Sequence, residues 1–341
     1  MGAEPPPAAP LLAVRDLRVG FRTEAGRVEA VSGVSLEAGR REVVGLVGES
    51  GSGKTLTALA VMGLVSDPNA EIAGSVAFEG RELLGLPGAE LRRIRGRRIA
   101  MIFQDPMTAL TPVHTIGWQI EEQIRAHGGP GGPVGRRAAR ARAVELLGEM
   151  GIPDPAAAAG RYPHQLSGGM RQRAVIAMAL SCDPALLIAD EPTTALDVTV
   201  QAQILRLLDR LRREFGSAVL LITHDMGVVA QAADRVVVMY AGRVAERGPV
   251  ADVFRAPGHP YTAGLLASIP SMAGPRPRRL PAIPGSPPAP GRAPPGCPFQ
   301  PRCPARHARC RERPPLLVRG EQEIACWLVA ERGEAVSAVP A

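Results

Sequence analysis

Apolar and polar residues alternate with a strand-like period over the first fifty residues. LLAVRDLRVGF (11–21) and VEAVSGVSLEAG (28–39) precede the apolar run REVVGLVG (41–48). Further strands are predicted at SVAFEG, RRIAMIFQD, ALLIAD and AVLLITHD, and a hairpin at RVVVMYAGRVAERG. Helical stretches are predicted at about 54–63, 115–159 with a break at HGGPGGPVG, 168–181 and 198–215. Strands that alternate with helices predict an α/β fold with a parallel sheet.

Composition narrows the architecture. Hydrophobic residues make up 45% of the 341 residues and aromatic residues only 3%, so the core must consist of Ala, Val, Leu and Ile. After Ile269 the chain becomes rich in Pro and Gly. We therefore expect a main domain over 1–270, an unpacked linker over 271–296 and a small cysteine-bearing tail over 297–341.

The positive charge does not indicate a nucleic-acid groove. The formal net charge is +7, but residues 271–341 hold 11 Arg and 5 Glu, so the main domain is nearly neutral. ELRRIRGRRIA (90–100) has five Arg without interleaved aromatics and is expected to be a solvated face. The N-terminus MGAEPPPAAP lacks the apolar core of a signal peptide, and every apolar run is far shorter than a membrane span. We expect a cytosolic chain unless something holds it at a membrane.

One motif contains the only lysine of the chain. GESGSGKT fits the phosphate-binding pattern G-x-x-x-x-G-K-[ST], after an apolar strand and at the start of a helix. Its backbone N–H groups and the helix N-terminus would bind phosphate oxygens, and a compact ammonium suits the β- and γ-phosphates. The alternative is a glycine-rich turn with a chance lysine, which the placement of the sole lysine disfavours. The predicted nucleotide-binding residues are Gly48, Glu49, Ser50, Gly51, Ser52, Gly53, Lys54 and Thr55.

A second candidate lies at the end of the strand ALLIAD. Asp190 and Glu191 follow this buried run, at the strand end where ligands bind in open α/β sheets. Asp190 would hold Mg²⁺ and Glu191 would orient and deprotonate an attacking water. Alone, the pair is equally consistent with two solvated acids in a turn.

The stretch LSGGMRQRAVIAMAL (166–180) resembles the signature of ABC-type ATPases. IFQDP, TALD (194–197) and LITHD complete the ordered set, which covers about residues 11–250. The resemblance implies a P-loop NTPase fold with a RecA-like core, an antiparallel β portion and a helical subdomain at about 105–180. It also implies two such chains head to tail, with each ATP between the P-loop of one and the signature of the other.

The resemblance assigns the remaining roles. Thr55 and Gln104 would contact Mg²⁺ or its water, and His224 would sense the γ-phosphate, although a lone histidine is more often a core or capping residue. Phe21 would stack on adenine, with a core phenylalanine as the alternative. The residues that would act at the dimer interface are Ser167, Gly168, Gly169 and Asp197.

Within that family the chain is most similar to the ATP-binding subunits of oligopeptide and dipeptide importers, a branch that also serves nickel. GESGSGKT, IFQDPMTALTP, YPHQLSGGMRQR and CPFQPRC carry this resemblance, while Thr111 departs from the usual Asn. The resemblance implies a second ATPase subunit, expected to differ from this one, two separate permease subunits and indirectly an extracytoplasmic solute-binding protein. The chain would then lie on the cytoplasmic face of the cell membrane.

Four cysteines of the tail are spaced C-x5-C-x6-C-x15-C. Their thiolates could bind a [4Fe-4S] cluster or a Zn²⁺ ion. The close CxxC pairs of most structural zinc sites are absent, and the resembled branch carries an iron-sulfur cluster, so the cluster is favoured. The ligands would be Cys297, Cys303, Cys310 and Cys326, while Cys182 is predicted to be a small buried residue.

Two alternatives belong to other functional classes. An ABC ATPase of DNA repair or translation would need coiled-coil arms, zinc modules or two cassettes, and the sequence contains no sign of them. A redox-sensing regulator would use the cysteine centre to control the ATPase. Powering solute import remains the leading hypothesis.

Overall fold

The computed structural model describes residues 9–24, 26–105, 109–128, 132–193, 198–269, 281–331 and 337–338. The chain forms two compact units, each assembled from separate stretches of sequence. The first contains the described residues of Met1–Leu12, Ala38–Val43 and Phe78–Ile222, and the second those of Ala13–Glu37, Val44–Ala77 and Thr223–Ala341. No helix in these described ranges is both long and apolar enough to cross a membrane.

The strands are β1 (Leu12–Thr23), β2 (Gly26–Ala38), β3 (Val43–Val47), β4 (Ala70–Phe78), β5 (Arg81–Glu82), β6 (Ile99–Ile102), β7 (Leu186–Asp190), β8 (Ala218–Thr223), β9 (Arg235–Tyr240), β10 (Arg243–Pro249), β11 (Leu317–Arg319), β12 (Gln322–Ile324) and β13 (Ser337–Ala338). The helices are α1 (Lys54–Val61), α2 (Gly88–Ile94), α3 (Ile116–His127), α4 (Arg136–Glu149), α5 (Pro155–Ala159), α6 (Gly168–Leu180), α7 (Val198–Arg210, continued by a π-helical turn over Leu211–Phe215), α8 (Met226–Ala232), α9 (Val250–Arg255), α10 (Pro260–Ala267) and α11 (Trp327–Glu331).

Parallel strands and helices build the first unit. β6 pairs with β7, and β7 pairs with β8, both in parallel. Every residue of β7 and β8 is buried, as expected for parallel strands covered on both faces. Helix α3 buries Ile116, Ile120 and Ile124, which recur every four residues and so lie on one face. The register brings Ile102 beside Ala189, so the chain leaves β6 close to the acidic end of β7.

The second unit combines parallel and antiparallel pairing. β3 runs parallel to β9, which forms an antiparallel hairpin with β10. The strand order from β3 outward is β3, β9, β10, β12, β11 and β13. β2, β1 and β4 are neighbours, in that order, in a separate sheet.

The cysteine-bearing tail is part of this second sheet. β12 pairs antiparallel with β10, which places Glu246 opposite Ile324, and Arg247 bonds Glu323 at 2.6 Å. The side chain of Ile283, in the predicted linker, packs against the apolar cluster around Tyr240 and Tyr261. The linker therefore contacts the fold at Ile283, where its composition predicts no packing, although most residues of its described part, 281–296, are exposed.

The arginine-rich stretch at 90–100 contributes the end of α2 and the start of β6. Arg98 bonds the carboxylate of Glu79 at 2.5 Å, and Arg40 bonds the same carboxylate at 2.9 Å. These exposed ion pairs agree with the predicted solvated face.

Candidate functional site

The loop of residues 48–53 connects the buried strand β3 to α1. Gly48, Gly51 and Gly53 have φ of 153°, 78° and 98°, in the region that side chains disfavour. A Cβ on Gly48 would lie 2.2 Å from the carbonyl oxygen of Met239. The loop backbone therefore packs directly against the backbone of β9, and only glycine fits there.

Lys54 lies at the start of α1 and folds back over this loop. Its side chain is buried, with 6% of the residue exposed, and Nζ donates to the carbonyl oxygens of Gly48 at 2.7 Å and Glu49 at 3.0 Å. Thr55 is exposed in the first turn of α1. Ser50 is exposed as well, whereas Ser52 is buried. The sequence-predicted loop residues thus form one concave, cationic helix start that suits an anion.

The acidic end of β7 carries backbone strain. Asp190 is 1% exposed, and Glu191 has φ of 48°, a left-handed conformation that costs a non-glycine residue about 1–3 kcal/mol. The N–H of Glu191 donates to the carbonyl oxygen of Ile222 at 2.9 Å, which holds it in place. Gln104 Nε2 donates to Glu191 Oε2 at 3.2 Å. The structure therefore brings Gln104 to the predicted base, a contact that the sequence did not predict.

The signature stretch starts α6 on the surface of the first unit. Ser167 is exposed and is the N-cap, since its hydroxyl accepts from the N–H of Met170 at 3.3 Å. Gly168 is also exposed and Gly169 partly so. Gln172, which the sequence reasoning did not single out, is 2% exposed and donates to the carbonyl oxygen of Pro192 at 2.8 Å. This bond connects the signature helix to the segment that follows Glu191.

Three predicted residues lie elsewhere. His224 is exposed at the end of β8, and Asp225, next to it, caps α8 by accepting from the N–H of Gly227 at 2.7 Å. Phe21 is half-buried on β1, so part of its ring is accessible. Asp197 lies outside the described residues.

Comparison with known proteins decides the family. A family described as "ABC transporter" matches residues 31–194, and one described as "Oligopeptide/dipeptide transporter, C-terminal region" matches residues 245–310. A putative peptide import ATP-binding protein of Brucella abortus is 52% identical, with 91% of this chain and 92% of that protein covered. The chain belongs to the ABC transporter family of ATP-binding proteins.

Two further similar proteins agree with this family and with the fold. The oligopeptide transport ATP-binding protein OppD of Haemophilus influenzae is 49% identical, with 95% of this chain and 98% of OppD covered. A dimeric ATP-binding cassette, MJ0796, solved with ADP and Pi, is 28% identical, with a TM-score of 0.62 and coverage of 70% and 98%. The predicted α/β P-loop fold and the ATPase class are therefore confirmed.

The four tail cysteines line one small cavity, together with aromatic side chains that include Phe299 and Trp327. Burial raises the pKa of Cys297, Cys303 and Cys326, that of Cys326 to about 12, and the neighbouring thiolates add to the last shift. Among the described residues, no group of three or more His, Cys, Asp or Glu side chains could hold a single metal ion.

Two residues that sequence reasoning missed contact the phosphate-binding loop. Arg302 forms an ion pair with Glu49, and the hydroxyl of Tyr261 accepts from the N–H of Glu49 at 2.8 Å. No motif marks either residue, because each is more than 200 positions from Glu49 along the chain.

Cys182 is buried and Ser181 is its neighbour, as predicted for a small core residue.

Substituting two glycines of this loop separates close packing from backbone conformation. We expect Gly48→Ala to abolish nucleotide binding, because its methyl group would overlap the carbonyl oxygen of Met239. A Cβ on Gly51 meets no atom within 4 Å, so Gly51→Ala should only destabilise the loop by about 1–2 kcal/mol through its positive φ. Calorimetric titration with ADP and thermal unfolding distinguish the two variants. If both variants lost the same ADP affinity, the close-packing argument would be contradicted.

Proposed function

We propose that this chain is the ATP-hydrolysing subunit that powers an ABC importer of di- and oligopeptides. The observation that carries the proposal is the match of residues 245–310 to the oligopeptide/dipeptide transporter C-terminal region. The names of the two relatives, a peptide import protein and OppD, point to the same class of solute. Nickel is the alternative solute of this branch, and the second experiment below distinguishes the two.

The geometry supports a division of roles in ATP hydrolysis. In the second unit, the backbone of 48–53 and Lys54 would bind the phosphates and Thr55 would contact Mg²⁺; in the first unit, Gln104 and Asp190 are the proposed Mg²⁺ ligands. Glu191 is the general base: its strained backbone conformation is typical of functional sites, and Gln104 orients its carboxylate. His224 contacts the γ-phosphate, and Phe21 stacks on the adenine.

The proposed active form is a dimer of two cassettes. Ser167, Gly168 and Gly169 open a helix of 13 residues on the surface of the unit, so their N–H groups are accessible to a γ-phosphate bound by another chain. The similar cassette MJ0796 is itself dimeric in the solved structure. Asp197 would bridge the subunits, and the partner is a different ATPase chain.

The surface near Gln104 suits a membrane partner. Val113 is 72% exposed and Trp118 is 38% exposed, and both follow Gln104 within fifteen residues. Exposed apolar side chains of this size are typical of protein interfaces. They support docking on two permease subunits at the cytoplasmic face of the cell membrane, with a solute-binding protein acting on the other side. Nucleic acid is not a partner in this proposal.

A [4Fe-4S] cluster at Cys297, Cys303, Cys310 and Cys326 is the proposed second cofactor. Buried thiols with raised pKa stay protonated at neutral pH unless cationic metal compensates the thiolates. The four cysteines line one cavity, and four cysteine thiolates are the usual ligands of a [4Fe-4S] cluster. Bound there, the cluster would join the tail residues together.

Glu191→Gln tests the catalytic assignment. Because glutamine cannot accept a proton, we expect hydrolysis to fall by about a hundredfold or more while ATP binding persists. The matched control is Glu122→Gln, an exposed carboxylate on α3 paired with Arg125. Steady-state phosphate release and ATP titration give both quantities. A Glu191→Gln protein that hydrolyses ATP at the normal rate would refute the role of the base.

Uptake in cells tests the solute. With Glu191→Gln in place of the native chain, we expect accumulation of a labelled tripeptide to stop and accumulation of labelled nickel to continue. Lys54→Ala, which removes the phosphate ligand, should give the same pattern. Loss of nickel uptake alone would replace the peptide proposal by the nickel alternative and leave the ATPase assignment intact.

Cys303→Ser tests the metal centre. Protein purified without oxygen should contain about four iron and four sulfide per chain, and the variant should lose most of both. Cys182→Ser, a buried cysteine of the first unit, is the matched control and should keep them. Elemental analysis and the visible spectrum decide the matter: zinc in place of iron would favour the alternative, and an absence of both metals would remove the centre.

A further inference from the structure

A buried arginine of the tail is bonded to the phosphate-binding loop. Arg302 Nη1 donates to Glu49 Oε2 at 2.6 Å, and Nη2 donates to Glu49 Oε1 at 2.9 Å. Only 6% of the Arg302 side chain and 27% of the Glu49 side chain are exposed, so this is a bidentate pair that is partly shielded from water. Glu49 immediately follows Gly48, and therefore the tail reaches the first turn of the loop.

The remaining N–H groups of Arg302 also have partners. Nε donates to the carbonyl oxygen of Pro284 at 2.8 Å, and Nη2 approaches those of Gly285 and Ile283 at 3.3 and 3.4 Å. Nη1 approaches the hydroxyl of Tyr240 at 3.3 Å. The guanidinium is thus fixed in position before any ligand binds, and the Glu49 pair raises the pKa of Arg302.

Glu49 is held at three points. Arg302 holds its carboxylate, the hydroxyl of Tyr261 accepts its N–H at 2.8 Å, and Lys54 donates to its carbonyl oxygen at 3.0 Å. Tyr261 is fully buried, and its ring packs on that of Phe299, which belongs to the tail, as Arg302 does. The peptide between Gly48 and Glu49 is therefore held by Tyr261, and the Glu49 side chain by Arg302, and both of these residues lie outside the loop.

We propose that Arg302 is a positioning residue for ATP: the tail, through Glu49, holds the phosphate-binding loop in the conformation that accepts the triphosphate. A loop that must be ordered when the ligand binds loses affinity by the free energy of ordering, and a pre-ordered loop does not. The role of Arg302 does not depend on the metal content of the cysteines.

The test compares Arg302→Met, Glu49→Gln and the double variant. We expect Arg302→Met to weaken MgADP binding by roughly tenfold or more and to raise KM for ATP, with kcat retained, because the reacting groups are untouched. Since each single variant breaks the same pair, the double variant should bind no more weakly than Arg302→Met. Arg302→Lys should restore only part of the affinity, because its ammonium keeps the positive charge but cannot form the bidentate pair.

Controls separate positioning from stability. Arg306→Met removes an exposed arginine of the same tail and should leave affinity and KM unchanged. Thermal unfolding shows whether each variant is folded. If Arg302→Met does not fold, Tyr261→Phe, which removes only the hydroxyl that accepts the Glu49 N–H, should still raise the dissociation constant several-fold. Unchanged affinity in a folded Arg302→Met, losses of affinity that add in the double variant, or unchanged affinity in Tyr261→Phe would overturn the proposal.

Discussion

The backbone of residues 48–53 must pack on strand backbone with no side chain between them, and the nucleotide site depends on this constraint. Gly48 lies against the carbonyl of Met239, and Gly53 lies near that of Ala30. The carbonyl oxygen of Ser52 accepts from the N–H of Gly242 at 3.0 Å, which ties the loop to the turn between β9 and β10. With its carbonyls occupied in this way, the loop presents N–H groups at the start of α1, and these favour an anion.

A different constraint acts in the first unit, where the structure holds Glu191 in an unfavourable conformation. The left-handed residue persists because the N–H of Glu191 completes a hydrogen bond to Ile222 and the next segment is bonded through Gln172 to α6. The surrounding hydrogen bonds keep Glu191 in its strained backbone conformation. With a relaxed backbone, the Glu191 side chain would point elsewhere and would lose its hydrogen bond from Gln104. The start of the signature helix and the proposed base are consequently parts of one connected structure.

Sequence patterns predicted those parts of the molecule whose causes are local. The run Val43–Val47 and the glycines that follow specify strand, loop and helix within about fifteen residues, and the Asp190 strand is fully apolar before its acid. Sequence patterns did not predict the features that depend on residues far apart in the chain or on very short elements. Arg302 and Glu49 are 253 residues apart, and the three-residue strands β11 and β12 are too short to show a period. Likewise, Ile283 is one apolar residue in a Pro-rich segment, and it is partly buried because it packs against α10 near Gly264 and against the apolar cluster around Tyr240.

The two cations at the loop explain why the chain uses lysine once. Arg302 must hold one carboxylate in one geometry, and its planar guanidinium, with every N–H direction satisfied by Glu49, Tyr240 and three carbonyls, is suited to a fixed contact. Lys54 bonds to the carbonyl oxygens of Gly48 and Glu49 and to the hydroxyl of Ser52, at distances from 2.7 to 3.5 Å, and its ammonium can rotate to phosphate oxygens without breaking a planar arrangement. If the arginine and the lysine were exchanged, a rigid guanidinium would face the phosphates and a mobile ammonium would hold Glu49. Of the 40 Lys and Arg residues of the protein, only one is a lysine. Its position therefore reflects the proposed need for a mobile cation at the phosphates, because arginine would meet a requirement for positive charge alone.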